Sequence, residues 1–402
     1  MGPGAIMAND NDRRRVGQGS STAADAVAAA RECVSAALAG RTPEPADLLI
    51  VHVTVEYEPL RFFEAVAESA APAQVVGCTA FAGFTGAANV TAGAVALYVP
   101  AAELTFGIAT ADSVSADLRG AARRVTELAR ERAGGDGENS VLMMLSDGLA
   151  GDQREVVRGS YAVTGSTVPL VGGAASEDLS MGATYQFADG KLMSNSLIAI
   201  WINSPHPLGI GVAHGWHPMG DPVTVTRAEA NIIHELDGRP AVDVYLEQRG
   251  GDVQAGEPGD ATGPTFARLT FDHPLGLANA AGAFDGRHIL GRTPEGALVM
   301  FGHVSEQSVV QVLSGNQRDL LDAAGSAAAT AVQRLGAEPR GALVFSCAGR
   351  VPPLGDALPE EAVAIRGPLG EAPFAGFFTY GEFARVTGST GFHNATVVVL
   401  TF

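Results

Sequence analysis

Apolar positions along the chain fall into short runs separated by amphipathic stretches, and one order of these recurs three times. Val141-Leu142-Met143-Met144-Leu145, closed by Ser146-Asp147-Gly148, has the length and flanks of a buried strand. Asp152 to Val163 places apolar residues at helical spacing, and Val168-Pro169-Leu170-Val171 then runs into Gly172-Gly173-Ala174-Ala175-Ser176. The unit is predicted to close on a hairpin: Tyr185-Gln186-Phe187, a turn at Ala188-Asp189-Gly190-Lys191, and a return strand from Ser196 to Ile202. Near the C-terminus, Ala342 to Gly349 aligns without a gap on Val141 to Gly148, followed by a helix with Glu360 to Ile365, then Phe374-Ala375-Gly376-Phe377 and a last strand from Ala395 to Phe402. A weaker copy comprises Leu48 to Val55, a helix through Arg61 to Glu68, Val75-Val76-Gly77-Cys78, and Ala94 to Val99. Gly77, Gly172 and Gly376 stand at similar places in the three copies, which implies a backbone requirement there: positive φ or close approach.

Alternating helices and strands, some strands adjacent, predict an α/β (mixed α+β) protein: two domains of mixed sheets layered with helices, built on the repeated strand-helix-strand-hairpin module. Residues 1–22, polar and Gly/Ser-rich, read as a flexible tail. A helix is expected from Ala23 to Leu38, capped from Ser20-Ser21-Thr22. The stretch from Gly250-Gly251 to Gly263-Pro264 is the least patterned, and a boundary there divides the chain into 23–249 and 250–402. Arg287 to Leu290 and Leu298 to Phe301 read as strands, and Asp319 to Leu335 as an alanine-rich helix.

Composition narrows the function classes. The chain has 402 residues, 46% hydrophobic and 17% charged, with a formal charge of −18. That length is enough for substantial cores, and that charge disfavours nucleic acid and anionic membrane surfaces. The widely spaced Cys33, Cys78 and Cys347 indicate neither a disulfide framework nor a zinc pair, so a reducing cytoplasm is expected. No apolar run approaches the roughly 20 residues of a spanning helix.

Several segments together resemble one family, the FIST sensory domains, N-terminal and C-terminal parts both. They are Val76-Gly77-Cys78-Thr79; Leu170-Val171-Gly172-Gly173-Ala174-Ala175; His214-Gly215-Trp216; Glu235-Leu236-Asp237-Gly238-Arg239-Pro240-Ala241; Ser346-Cys347-Ala348-Gly349-Arg350; Gly381-Glu382; and Phe392-His393-Asn394-Ala395-Thr396. The resemblance assigns 23–249 to the N-terminal part and 250–402 to the C-terminal part. It implies an intracellular signal-input module for small ligands such as amino acids, read by a separate signalling protein. Some relatives carry haem and respond to nitric oxide, which makes a haem-based sensor the first alternative.

Loops after the carboxyl ends of strands are where ligands gather in layered α/β proteins, and candidate chemistry is concentrated there. Arg350 follows the strand ending in Cys347, and a guanidinium there would grip a carboxylate. Glu382 follows Tyr380-Gly381. The pair suggests an amino-acid clamp, Arg350 for carboxylate and Glu382 for ammonium, with Tyr380 and Phe392 as walls and Asn394, Gly172, Gly173 and Cys78 on neighbouring loops. The competing structural reading is that Arg350 and Glu382 bridge each other. Cys347 is the candidate nucleophile of a second alternative, a thiol enzyme, although no His or Asp lies beside it in sequence. His214, His217 and His393 are the candidate haem ligands, against a plain reading of His214-Gly215-Trp216 as a hydrogen-bonded turn. No metal site is expected, and neither catalysis nor a resident cofactor is expected of the amino-acid sensor.

Overall fold

The computed structural model describes residues 15–250, 266, 270–278, 284–386 and 391–402. It is a mixed α/β fold in which three six-stranded sheets share one strand order. The first runs Gly17–Ser21, Ala94–Val99, Leu48–Val53, Gln74–Thr79; the second Thr105–Ala111, Leu197–Ser204, Asn139–Asp147, Leu170–Ala175; the third Gly209–Ala213, Val397–Thr401, Ala342–Cys347, Phe374–Thr379. In each, the third and fourth strands are parallel and joined by a helix, while the others pair antiparallel.

The remaining two strands of every sheet come from another copy. Hairpin Gln186–Ala188/Lys191–Met193 of the second copy completes the first sheet. Glu382–Arg385/Gly391–His393 of the third completes the second, and Gly83–Thr85/Asn89–Val90 of the first completes the third. The hairpin expected to close its own copy is thus exchanged cyclically, and its return strand is Lys191–Met193; Leu197–Ser204 belongs to the home sheet.

The exchange explains the three glycines. Gly77 faces Phe187, Gly172 faces Phe383 and Gly376 faces Phe84, so each copy's glycine lies opposite the phenylalanine of an incoming hairpin. A methyl at Gly376 would lie 2.5 Å from the Phe84 ring, and one at Gly77 2.7 Å from Phe63, which stacks on Phe187 at 4.9 Å. Gly172 also has φ +138°. All three phenylalanines are buried under the helices of the sheet they join. The opposite faces of the sheets meet in a common core that includes Ile50, Val76, Leu97, Met143, Leu145, Ile200, Phe345, Phe377 and Val398.

Pairing with the same glycine sets the true alignment of copies: Met144 lies beside Gly172 and Val344 beside Gly376. The gap-free alignment of Ala342 on Val141 is therefore one residue out of step. Because side chains alternate faces, that slip would exchange core-facing and helix-facing positions; Met143, Leu145, Leu343 and Phe345 all belong to the common core.

The flexible tail expected over 1–22 is corrected at its end, since Gly17–Ser21 is an edge strand registered on Ala94 to Tyr98. Its glycines serve approach, not flexibility. A methyl at Gly17 or Gly19 would fall 2.0 and 2.1 Å from carbonyl oxygens of helix Ala26–Leu38. The same contact recurs at Gly107 against Ala129 and at Gly209 and Gly211 against Ala331 and Ala327. Asp25, rather than Ser20-Ser21-Thr22, caps the first helix. Residues 1–14 of that segment lie outside the described residues.

Between edge strand Gly209–Ala213 and helix Gln317–Leu335 the third copy carries an antiparallel eight-stranded sheet, with strands from His217–Glu229 to Val309–Ser314. The boundary expected at 249/250 falls inside this insertion. Helix Ala241–Arg249 packs Val242, Val244 and Tyr245 into a core with residues from both sides of it, Val225 and Val310 among them.

The glycine-phenylalanine fit is testable by unfolding in denaturant. Gly376→Ala is expected to cost about 1–3 kcal/mol through overpacking and Phe84→Ala about 3–5 kcal/mol through the cavity left. The double variant is expected to cost less than their sum, because the smaller side chain admits the methyl. Additive costs would show that the two positions do not meet.

Candidate functional site

Arg350 and Glu382 are both fully buried, but they do not form the expected clamp, nor do they bridge each other. Arg350 Nε and Nη2 donate to Glu361 Oε1 at 3.1 and 2.8 Å, and Ser346 Oγ donates to the same oxygen at 3.1 Å. Nη1 and Nη2 also donate to the carbonyls of His214 and Leu320, at 3.1 and 2.9 Å. Glu361 lies on helix Leu358–Leu369, the connection between the parallel strands of the third sheet. Arg350 is thus a buried tie, through four hydrogen bonds, between that helix, helix Gln317–Leu335 and the turn after Gly209–Ala213. A ligand carboxylate would have to displace every one of these partners.

Glu382 sits in its own cluster, on the hairpin strand registered against Gly173 and His393. Thr379 Oγ1 donates to Oε1 and Thr396 N to Oε2 at 3.3 Å. The Cys347 thiol lies against the same carboxyl group. Burial pushes Glu382 up to about 8, against these donors and the nearby Arg350, which pull it down. Burial likewise raises the Cys347 thiol well above its usual range. A buried thiol held protonated beside a carboxyl group is not an activated nucleophile. Gly173 abuts this cluster, a methyl there meeting Thr379 Cγ2 at 2.5 Å.

Beside it the insertion meets the second and third copies. Asn394 is 1% exposed, and among the described residues neither Oδ1 nor Nδ2 has a hydrogen-bond partner. Among the same residues His288 has both ring nitrogens unpartnered and Arg287 its Nε, both side chains being buried. Burial pulls His288 down to about 4, so its ring is neutral. These side chains come together across glycines. A methyl at Gly381 would lie 2.5 Å from the Phe392 ring and 3.1 Å from Asn394 Nδ2; one at Gly349, 1.9 Å from His288 Nε2; one at Gly286, 2.8 Å from Asn394 O. Phe301 of the insertion meets Tyr380 edge to face at 5.8 Å. The Tyr380 hydroxyl donates to Glu177, a buried carboxylate that also receives Met181 N at 2.8 Å and Ser180 N at 3.0 Å.

Of the residues expected on sequence grounds, Glu382, Cys347, Tyr380, Phe392, Asn394 and Gly173 are brought to this seam. Gly172 takes part through the strand, facing Phe383. Cys78 lies elsewhere, its thiol 3.2 Å from His52 Nδ1 in the first sheet. Arg287, His288, Gly349 and Glu361 were not singled out for chemistry. An Arg-His pair inside a strand pattern was the available signal for the first two.

Two of the three histidines considered for haem, His214 and His393, are already committed. His214 Nδ1 accepts from Trp216 N at 2.9 Å, and Trp216 Nε1 donates to Ala395 O at 2.8 Å. Gly215 packs so closely on Asp319 that a methyl would lie 2.4 Å from its carbonyl oxygen. His393 Nε2 faces Ala384 O at 3.0 Å, Nδ1 lies 3.6 Å from Asp285, and His217 is exposed. This tight packing does not fit an iron macrocycle.

Two experiments follow from these contacts. Arg350→Met strands a buried carboxylate and is expected to lower stability by about 3–5 kcal/mol, whereas Arg350→Met with Glu361→Leu recovers most of the loss in the same denaturation assay. Glu382 is raised in the folded state, so its contribution is complete below its unfolded value near 4.5 and declines as pH climbs to about 8. Glu382→Gln is therefore expected to flatten the fall in melting temperature across that window; an unchanged slope would place the titration on another group.

Residues 47–239 match the FIST N domain and residues 241–385 the FIST C domain, the junction lying within the insertion. An uncharacterized protein of Mycobacterium tuberculosis is 29% identical over 404 aligned positions, covering 96% of this chain and 99% of its own. An uncharacterized Mycobacterium bovis protein is 29% identical over 239 positions, 58% of this chain and 60% of its own. One from Methanocaldococcus jannaschii is 28% identical over 153 positions, 37% and 29% respectively. Among the described residues no helix is long and apolar enough to cross a membrane.

Proposed function

The chain belongs to the FIST family of sensory, signal-transduction domains, and from that premise we propose that it senses a small polar metabolite, an amino acid or a similar molecule, at the seam around Asn394. The observation that carries this reading is the Asn394 side chain, buried with both amide atoms unpartnered. A buried polar group without a partner costs about 1–3 kcal/mol, and native structures keep few of them. An amide offers a donor and an acceptor side by side, which is what a polar ligand edge requires. His288 adds a second such pair, and Phe392 and Tyr380 supply apolar walls. Glu382 supports the same reading as a carboxyl group poised between its charged and neutral forms near neutral pH. The bound state is read by a separate signalling protein in the cytoplasm.

Calorimetric titration with the common amino acids tests this. Asn394→Leu, nearly isosteric, is expected to weaken the best ligand at least about tenfold, equivalent to about 1.4 kcal/mol. The same change is expected to stabilise the unliganded protein, because it removes an unsatisfied buried amide. Unaltered affinity in that variant would sink the assignment. The purified protein is expected to show no Soret band; a band lost on replacing His214, His217 or His393 would restore the haem reading.

A further inference from the structure

We infer that the ligand carries an anionic group and that Arg287 is its counter-ion, a proposal that rests on the site reading given above. Two buried arginines lie near the seam, and they are in opposite conditions. Arg350 is 0% exposed and is held by Glu361 and two carbonyls. Arg287 is 3% exposed; its Nη1 donates to the adjoining carbonyl of Gly286 at 2.7 Å, its Nε has no partner, and among the described residues it forms no ion pair. A guanidinium keeps its charge when buried, and a buried charge without a partner is strongly unfavourable. Burial disfavours the charged form of Arg287, and nearby Arg154 adds to that, offset only in part by Asp285 and Asp152.

The local carboxylates already have other partners. Asp152 is engaged by Arg154, whose Nη2 donates to it at 2.9 Å, and Asp285 lies 3.6 Å from His393 Nδ1. Gly302 leaves the volume of a methyl group open beside Arg287. A methyl at Gly302 would find nothing nearer than 3.8 Å, its neighbours being Arg287 Cδ and Nε and Phe392 Cε1. The same Phe392 ring borders Gly381 and so reaches the side of the site that holds Asn394. One ligand can therefore present an anion to Arg287 and a neutral polar edge to Asn394. A carboxylate and a phosphate share the required chemistry, two adjacent oxygens accepting from the guanidinium fork.

Thermal-shift titration of the full chain at constant ionic strength distinguishes the sources: acetate, succinate and inorganic phosphate against acetamide and succinamide. The expected result is a rise in melting temperature with one or more of the anions and not with the matching amides, the effective anion identifying carboxylate or phosphate. Arg287→Met is expected to abolish that rise while melting above wild type when unliganded, and Arg287→Lys to retain part of it. Anions and amides acting alike, an anion effect that persists in Arg287→Met, or no anion effect together with a less stable Arg287→Met, each overturns the inference. The site reading fails separately: Asn394→Leu then leaves the binding of any effective probe unchanged. Equal effects of anion and amide that both depend on Asn394 would overturn only the role of Arg287.

Discussion

The pairing of a glycine in each sheet with a phenylalanine from another copy is the contact on which the architecture depends. A parallel strand pair covered by helices cannot end in an open edge without leaving a row of unpaired backbone groups. Here the edge is closed by a hairpin from a neighbouring copy, seated by one large ring over one missing side chain. Phe187, Phe383 and Phe84 each close a different sheet, and the three exchanges form a cycle. No copy can be withdrawn without opening two sheets, its own and the one its hairpin completes. The common core then holds the other faces together.

Much of this was legible in the chain because apolar runs and helical spacing are local signals. The three copies, the positions of Gly77, Gly172 and Gly376, and the gathering of Glu382, Cys347, Tyr380, Phe392 and Asn394 all follow from such patterns. The hairpin exchange did not, since a three-residue strand such as Gln186–Ala188 pairs equally well with any open edge as far as its own residues show. Gly17-Gln18-Gly19 illustrates a different ambiguity. Glycine spacing that lets a helix rest on a strand looks, in one dimension, like a flexible leader. Arg350 was misjudged because its partner, Glu361, lies across a connecting helix, and because a cation in a chain poor in cations invites a ligand. Arg287 and His288 were read only as strand residues; burial without partners is a property of three-dimensional packing that periodicity does not report.

The seam has two kinds of polar group with different physical roles. Tyr380 with Glu177 and Asp147 with Thr184 and Asn195 are satisfied networks that fix loops after strand ends, and Arg350 with Glu361 is a dense one in which only Glu361 Oε2 lacks a partner among the described residues. Satisfied buried networks of this kind specify one arrangement of the backbone. Asn394, His288 and Arg287 lie among these fixed loops with hydrogen-bonding capacity left over. The contrast locates the candidate site more sharply than sequence motifs do, because the same residue types occur in both sets. It also separates rigidity from recognition: the former resides in groups tied to several partners at once, the latter in groups with most of their hydrogen-bonding capacity left over.

The placement of the seam constrains how occupancy can be signalled on the proposed reading. A ligand shifts an equilibrium only by its difference in affinity for two states, so the states must differ in how they present Asn394 on one side and Arg287 and His288 on the other. Asn394 belongs to the cyclically interlocked copies, which resist relative movement. Arg287 and His288 belong to the insertion, which among the described residues reaches the seam through side-chain packing and no shared strand ladder: Phe301 on Tyr380, His288 on Gly349, Gly286 on Asn394, Asp285 near His393, Trp216 on Ala395. Moving the copies would break whole strand ladders, whereas moving the insertion breaks side-chain packing and a few polar contacts, the Trp216 hydrogen bond to Ala395 among them. The low-cost coordinate is therefore the approach of the eight-stranded insertion to the three-sheet body. A ligand that engages both sides gains its full interaction energy only when that approach is complete.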